Sequence, residues 1–147
     1  MNLLNDNLRN QLKMLFEAEL INQVELVYFF SQDNCITCGE TGDLLVEIAS
    51  LSNKILVNEY EINENPELAK AYGIQLTPGI VITGRNQDEI IDYGIRFLGI
   101  PSGYEFSSLI HSIILASKRD SGLQPNTRQE LKKIRTPIQL KVFVTPT

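Results

Sequence analysis

The chain has no tryptophan, one histidine and only two cysteines, and each shortage closes off a reading. Two cysteines are too few for the disulfide framework that stabilises small secreted domains. With His111 they supply at most three of the four ligands of a tetrahedral zinc, so a metal or cluster would have to be shared between two chains. No segment approaches the roughly 18 uninterrupted apolar residues of a membrane span. The start, MNLLNDNLRNQLKMLF, carries acidic residues and no small-residue cleavage site, so it reads as neither secretory signal nor transit peptide, and a cytoplasmic location follows. Positive charge is short as well: 13 basic against 18 acidic residues leave a net charge of −5. The modest cluster Lys132, Lys133 and Arg135 is most simply a solvated helix face. Nothing here forms an electrostatic footprint for nucleic acid, and the partners expected are proteins or small thiols. Repeats and low-complexity stretches are absent too.

What is present is an ordinary apolar fraction of 43% over 147 residues, enough for one real core. Residues 5–20 place Leu8, Leu12, Leu15, Phe16 and Leu20 at helical spacing, an amphipathic first helix. VELVYFFS (24–31) is short and apolar on both alternating faces, the pattern of a central strand in a sheet covered on both sides. A helix follows from about Ile36 to Leu51, then a strand over 54–62. NPELAKAYG (65–73) is a short helix with its own punctuation: Asn65 as N-cap, Pro66 at the first helical position, Gly73 to close. Residues 79–84 and 89–95 read as a hairpin about the polar turn RNQD. Ser102 and Glu105 stand in capping-box spacing ahead of a long closing helix. The order β-α-β-α-β-β-α implies two parallel strands with a crossover helix, then an antiparallel hairpin, with helices on both faces. Beyond it, Thr127 and Glu130 suggest a second capping box, and 138–145 alternate as a strand with no hairpin partner.

The chemistry concentrates at SQDNCITCG (31–39). A thiolate needs stabilising charge, and a strand-to-helix junction offers it through free backbone N–H groups and the helix dipole. Cys35 at that junction would be the nucleophile and Cys38, one turn further in, the resolving thiol, since a two-residue spacing brings the sulfurs within bonding reach. Two other readings stay open on these residues: a bridged metal or iron–sulfur site, and inert buried thiols. Gly39 and Gly42 soften the start of this helix, each costing roughly 1 kcal/mol against alanine. Thr77-Pro78 lies directly before a strand; a trans proline at a strand start is its plain reading. His111, between Leu109 and Ile113, reads as an ordinary helix residue.

Together these features resemble the thioredoxin superfamily: CxxC after the first core strand, then helix, strand and helix, then QLTPGIVI opening the hairpin. The stretch GIRFLGIPSGYEFSSLI (94–110) narrows the likeness to glutaredoxin-like protein disulfide oxidoreductases, which hold two such units, and to the related N-terminal domain of the alkyl hydroperoxide reductase flavoproteins. The resemblance implies an α/β thioredoxin fold, a mixed four-stranded sheet flanked by helices, over residues 1–120 with an extra N-terminal helix. It implies that residues 121–147 are a linker helix and strand like the start of a second, truncated unit. It implies a disulfide oxidoreductase without organic cofactor, recycled by a reductase or small thiol, with Thr77 and a cis Pro78 presenting backbone to an extended substrate. Family members bury an acid below the cysteines to help proton transfer; here Tyr28 or Phe29 stands near that place, leaving Asp33, Glu40 or Glu59 to substitute. Two alternatives accompany this expectation: a redox-silent docking module, and a homodimer formed through the C-terminal strand.

Overall fold

The structure, a computed structural model, describes residues 3–145. Its elements in chain order are α1 (Asp6–Glu19), β1 (Val24–Phe30), α2 (Cys38–Ala49), β2 (Ile55–Glu61), α3 (Pro66–Tyr72), β3 (Gly79–Asn86), β4 (Glu89–Leu98), α4 (Tyr104–Lys118) and α5 (Pro125–Leu131). The strands form one sheet in the order β2-β1-β3-β4. β1 runs parallel to β2 with Tyr28 beside Glu59, and antiparallel to β3 with Phe29 beside Gly79. This is the mixed sheet with helices on both faces that the order of elements implied, and the thioredoxin fold that the resemblance implied.

The double-sided apolar pattern of β1 has its cause in two cores. Leu26 and Tyr28, with Ile80 and Ile82 of β3, face α1, α2 and α4 and pack with Phe16, Leu45, Ile48, Leu109 and Ile113. Val27, Phe29 and Val81 point the other way, toward Ala69 of α3 and Ile74. β1 is therefore buried on both faces, and its register cannot slip without moving every side chain to the wrong core.

Helix ends follow the sequence in part. Asn5 caps α1, its Oδ1 accepting the Leu8 N–H at 2.9 Å. Pro66 opens α3, and Gly73 closes it in the left-handed region at φ 69°. Asn65 holds the N-cap position, but its side chain donates to the Glu61 carbonyl instead of capping. The box expected from Ser102 and Glu105 does not form. Gly103, at φ 59°, is the N-cap of α4, and only the backbones of Ser102 and Glu105 are joined. Likewise Thr127 does not start α5; the helix begins at Pro125, whose missing N–H costs nothing there, and Thr127 lies inside it.

Two polar clamps hold α1 in place. Ser117, fully buried on α4, accepts the N–H groups of Ile21 and Asn22 and donates to the Asn22 carbonyl. Glu47 of α2, also buried, accepts the N–H groups of Leu3 and Leu4 and pairs with Arg9. Burial alone pushes the Glu47 carboxyl up, but those two N–H groups and the Arg9 guanidinium outweigh it and hold the carboxyl below its ordinary range. A depressed carboxyl contributes stability above its unfolded value and loses it as pH falls through the folded one. Glu47→Gln is therefore expected to lower stability by about 1–3 kcal/mol at neutral pH. The difference from the native chain should vanish in acid, and urea midpoints at both pH values check this.

The C-terminal segment departs from the expected pattern. Residues 138–145 form no strand, and every residue from 119 to 145 is exposed. A strand needs a neighbouring edge to accept its backbone hydrogen bonds, and among the described residues the alternation Ile138, Leu140, Val142, Val144 joins neither outer edge of the sheet.

Candidate active site

β1 delivers the chain into a loop, and the cysteines sit where that loop turns into α2. The helix starts at Cys38, two residues later than the expected Ile36, because Thr37 is its N-cap. The Thr37 carbonyl takes both the N–H and the hydroxyl of Thr41, at 2.9 and 2.7 Å. Cys35 therefore lies in the turn ahead of the helix, and Cys38 is the first helical residue rather than one turn inside. Asn34, at φ 58°, makes the sharp entry; asparagine tolerates that region better than most side chains. The two cysteines form a disulfide, with Cα atoms 5.4 Å apart. Cys38 is 5% exposed, Cys35 is half-buried, and Ile36 between them is wholly in solvent.

The Thr77–Pro78 peptide bond is cis. Gly79, the next residue, pairs with Phe29, so this bond enters the sheet at the end from which the cysteine loop leaves. The Pro78 carbonyl accepts the Gly99 N–H at 2.8 Å, next to the Gly79–Leu98 pair that ends the β3–β4 ladder. Leu76 beside it is exposed.

An open groove of about 770 Å³ runs from the disulfide along α2. Its walls include Tyr28, Cys35, Cys38, Gly42 and Glu59, and the Arg9–Glu47 pair also lines it. The buried Tyr28 hydroxyl donates to the Cys38 carbonyl at 2.6 Å, bracing the start of the helix. Burial, and then the charge of Glu59, push this phenol well above its ordinary range, so it stays protonated and keeps donating. Of the three acids considered from sequence, Glu59 alone lines the groove; Asp33 and Glu40 do not. Glu61 caps the turn after β2 by accepting the Asn63 and Glu64 N–H groups. His111 is exposed on α4, outside the groove. Among the described residues no group of three or more His, Cys, Asp or Glu is placed to hold a metal.

The sequence placed Tyr28 near the position of the family's buried acid, but its bond to the cysteine backbone was not legible there. The available signal was its alternation with Leu26, which turns it toward α2.

No protein-family model matches the chain. It is 29% identical over 145 residues to the F subunit of alkyl hydroperoxide reductase from Staphylococcus epidermidis, covering 99% of this chain and 25% of that protein. The NTD_N/C domain of the alkyl hydroperoxide reductase AhpF from Enterococcus faecalis superposes with a TM-score of 0.77 at 26% identity, over 90% of this chain and 61% of that one. A protein disulfide oxidoreductase from Aeropyrum pernix superposes with a TM-score of 0.75 at 25% identity, over 87% of this chain and 54% of that one. The chain thus spans about a quarter of the length of the curated relative, and a little over half of the two structural ones.

Proposed function

We propose that this thioredoxin-fold unit, similar to oxidoreductases along nearly all of its length, is a thiol–disulfide oxidoreductase acting on protein disulfides in the cytoplasm. The observation that carries this reading is the cysteine pair itself: a disulfide at the mouth of α2, with one sulfur accessible and the other enclosed. In the reduced form Cys35 meets the positive end of the helix dipole, which favours its thiolate. That thiolate attacks a substrate disulfide, forming a mixed disulfide and releasing one substrate thiol. Cys38 then attacks the Cys35 sulfur, the second substrate sulfur leaves as thiolate, and the Cys35–Cys38 bond closes. The substrate has gained two electrons and the pair has lost them, so a reductase or small dithiol must restore the dithiol. Thr77 and Pro78 hold the substrate segment extended beside Cys35; support comes from their place at the same end of the sheet. The groups involved are sulfurs and backbone, with no organic cofactor. Residues 1–120 form the redox unit, and the wholly exposed 121–145 stand apart as a connecting helix and extended segment.

Dithiothreitol-driven insulin reduction tests this reading: the intact chain should reduce insulin well above the dithiothreitol background. A folded chain with no activity above background would favour the docking-module alternative.

A second partner is supported by the C-terminal segment. Leu140, Val142 and Phe143 are almost fully exposed, a costly display of apolar surface. β2 and β4 each leave one sheet edge unpaired. Pairing of the 138–144 segment with a second copy would cover it, so light scattering after size exclusion should return a dimer. Val142→Ser with Phe143→Ser should return a monomer; a native monomer rejects the dimer.

A further inference from the structure

The stretch GIRFLG (94–99) has no part in the exchange described above, yet three of its residues brace the segment that ends in cis Pro78. That segment, 73–78, runs from the end of α3 to the start of β3. Gln75 and Leu76 are exposed, and among the described residues the backbones of Gln75, Leu76 and Thr77 make no hydrogen bond within the protein. Their N–H and carbonyl groups are free to pair with an extended substrate, so the shape of the segment depends on what holds its two ends.

At the β3 end, Gly99 donates to the Pro78 carbonyl at 2.8 Å. A Cβ on Gly79 would lie 2.7 Å from Ile74 Cγ2 and 3.0 Å from the Leu76 carbonyl oxygen, so the segment lies directly against the start of the strand. At the α3 end the anchor is Arg96. Its Nε donates to the carbonyl of Tyr72, the last residue of α3, at 2.8 Å, and its guanidinium carbon lies 5.5 Å from the centre of the Tyr72 ring. The other two nitrogens grip the Asp92 carboxylate as a fork, at 2.8 and 2.7 Å. Asp92 is fixed in turn, accepting the Gly94 N–H at 2.8 Å. The two side chains meet because the β3–β4 register jumps between the pairs Ile82–Ile95 and Thr83–Asp92, leaving Tyr93 and Gly94 in a bulge that Gly94, at φ 77°, accommodates.

We propose that Arg96 is a positioning residue for disulfide exchange: locked by Asp92, it fixes the end of α3 and so sets where the Gln75–Thr77 backbone stands to receive a substrate segment. This rests on the oxidoreductase reading above. A guanidinium suits the task because its planar fork binds a carboxylate with two nitrogens and a carbonyl with the third, whereas an ammonium is a single point of charge. Arg96 does not line the groove at the sulfurs, so its loss is felt in substrate binding rather than in sulfur chemistry.

Insulin reduction at varied insulin and fixed dithiothreitol reads KM and kcat separately. Arg96→Ala, folded by circular dichroism, should raise KM by roughly 10-fold with kcat nearly unchanged. Attack of the reduced protein on dithiobis-nitrobenzoate, a disulfide too small to span the segment, should keep its native rate. Arg96→Lys keeps the charge but not the fork, and should raise KM as well. Asp92→Asn loosens the lock while leaving Arg96 its charge, and should move KM in the same direction. A lowered KM in Asp92→Asn would mean that Arg96 acts on the substrate by charge alone, and overturns the proposal. So does an unchanged KM in Arg96→Ala, or an equal loss with insulin and dithiobis-nitrobenzoate, which marks general damage to the fold. Should Arg96→Ala not fold, Arg96→Lys and Asp92→Asn decide by the same criteria. A native chain that reduces no insulin overturns the oxidoreductase reading and this proposal with it; an active native chain with unchanged KM in the variants overturns the proposal alone.

Discussion

Cys35→Ser is expected to bring insulin reduction down to the dithiothreitol background, a loss of at least about 100-fold if the native chain is a competent reductant. The size of the effect follows from the division of labour at the pair. Cys35 is the more accessible sulfur, and Ile36 beside it is in open water, so an incoming disulfide meets this end of the turn first. Cys38 is covered by the start of α2 and the groove wall and cannot replace it as nucleophile. Cys38→Ser should behave differently: Cys35 still attacks, but the mixed disulfide has no resolving thiol and accumulates. Mass spectrometry of the quenched reaction would show the adduct on Cys38→Ser and none on Cys35→Ser. Equal activity of Cys35→Ser and the native chain would remove the pair from the chemistry.

Phe16→Ala is expected to cost about 3–5 kcal/mol, a large share of the 5–15 kcal/mol that typically separates folded from unfolded domains. Phe16 is 1% exposed and belongs to the same apolar cluster as Leu45 of α2 and Leu109 and Ile113 of α4. Removing its ring leaves a cavity lined by residues on helices that cannot close over it. Ser117 and Glu47 already hold both ends of α1 against α4 and α2. The first helix is thus part of the core that carries the active helix, not an appendage to it. Denaturant unfolding of the variant measures the loss, and a change below about 1 kcal/mol would show α1 to be peripheral.

Much of this architecture was legible locally. The VELVYFF run announces a strand covered on both faces because its apolar residues occupy both parities, and the two cores on Leu26 and Val27 are the result. Pro66 and Gly73 mark the ends of α3 because their backbone preferences belong to the residues themselves. Capping by side chains proved less legible. Ser102 and Glu105 have the spacing of a box, yet Gly103 reaches a positive φ and starts α4 one residue later. A capping hydroxyl competes with every other local hydrogen bond, and sequence spacing does not say which wins.

The sequence by itself determined the cysteine pair, its place after the central strand, and the order of strands and helices around it, because spacing and backbone preference act over a few residues. Whether the 138–145 segment pairs, and what stands beside the sulfurs, only the tertiary structure decided. A strand exists when another edge supplies its hydrogen bonds, and among the described residues that segment pairs with neither outer edge of the sheet. The groove joins Tyr28, Gly42 and Glu59 from three elements, and they meet only because β1 lies parallel to β2 beneath α2. Neighbours brought together by chain reversal carry no mark in the local pattern, since their contact depends on how the sheet and its covering helix pack.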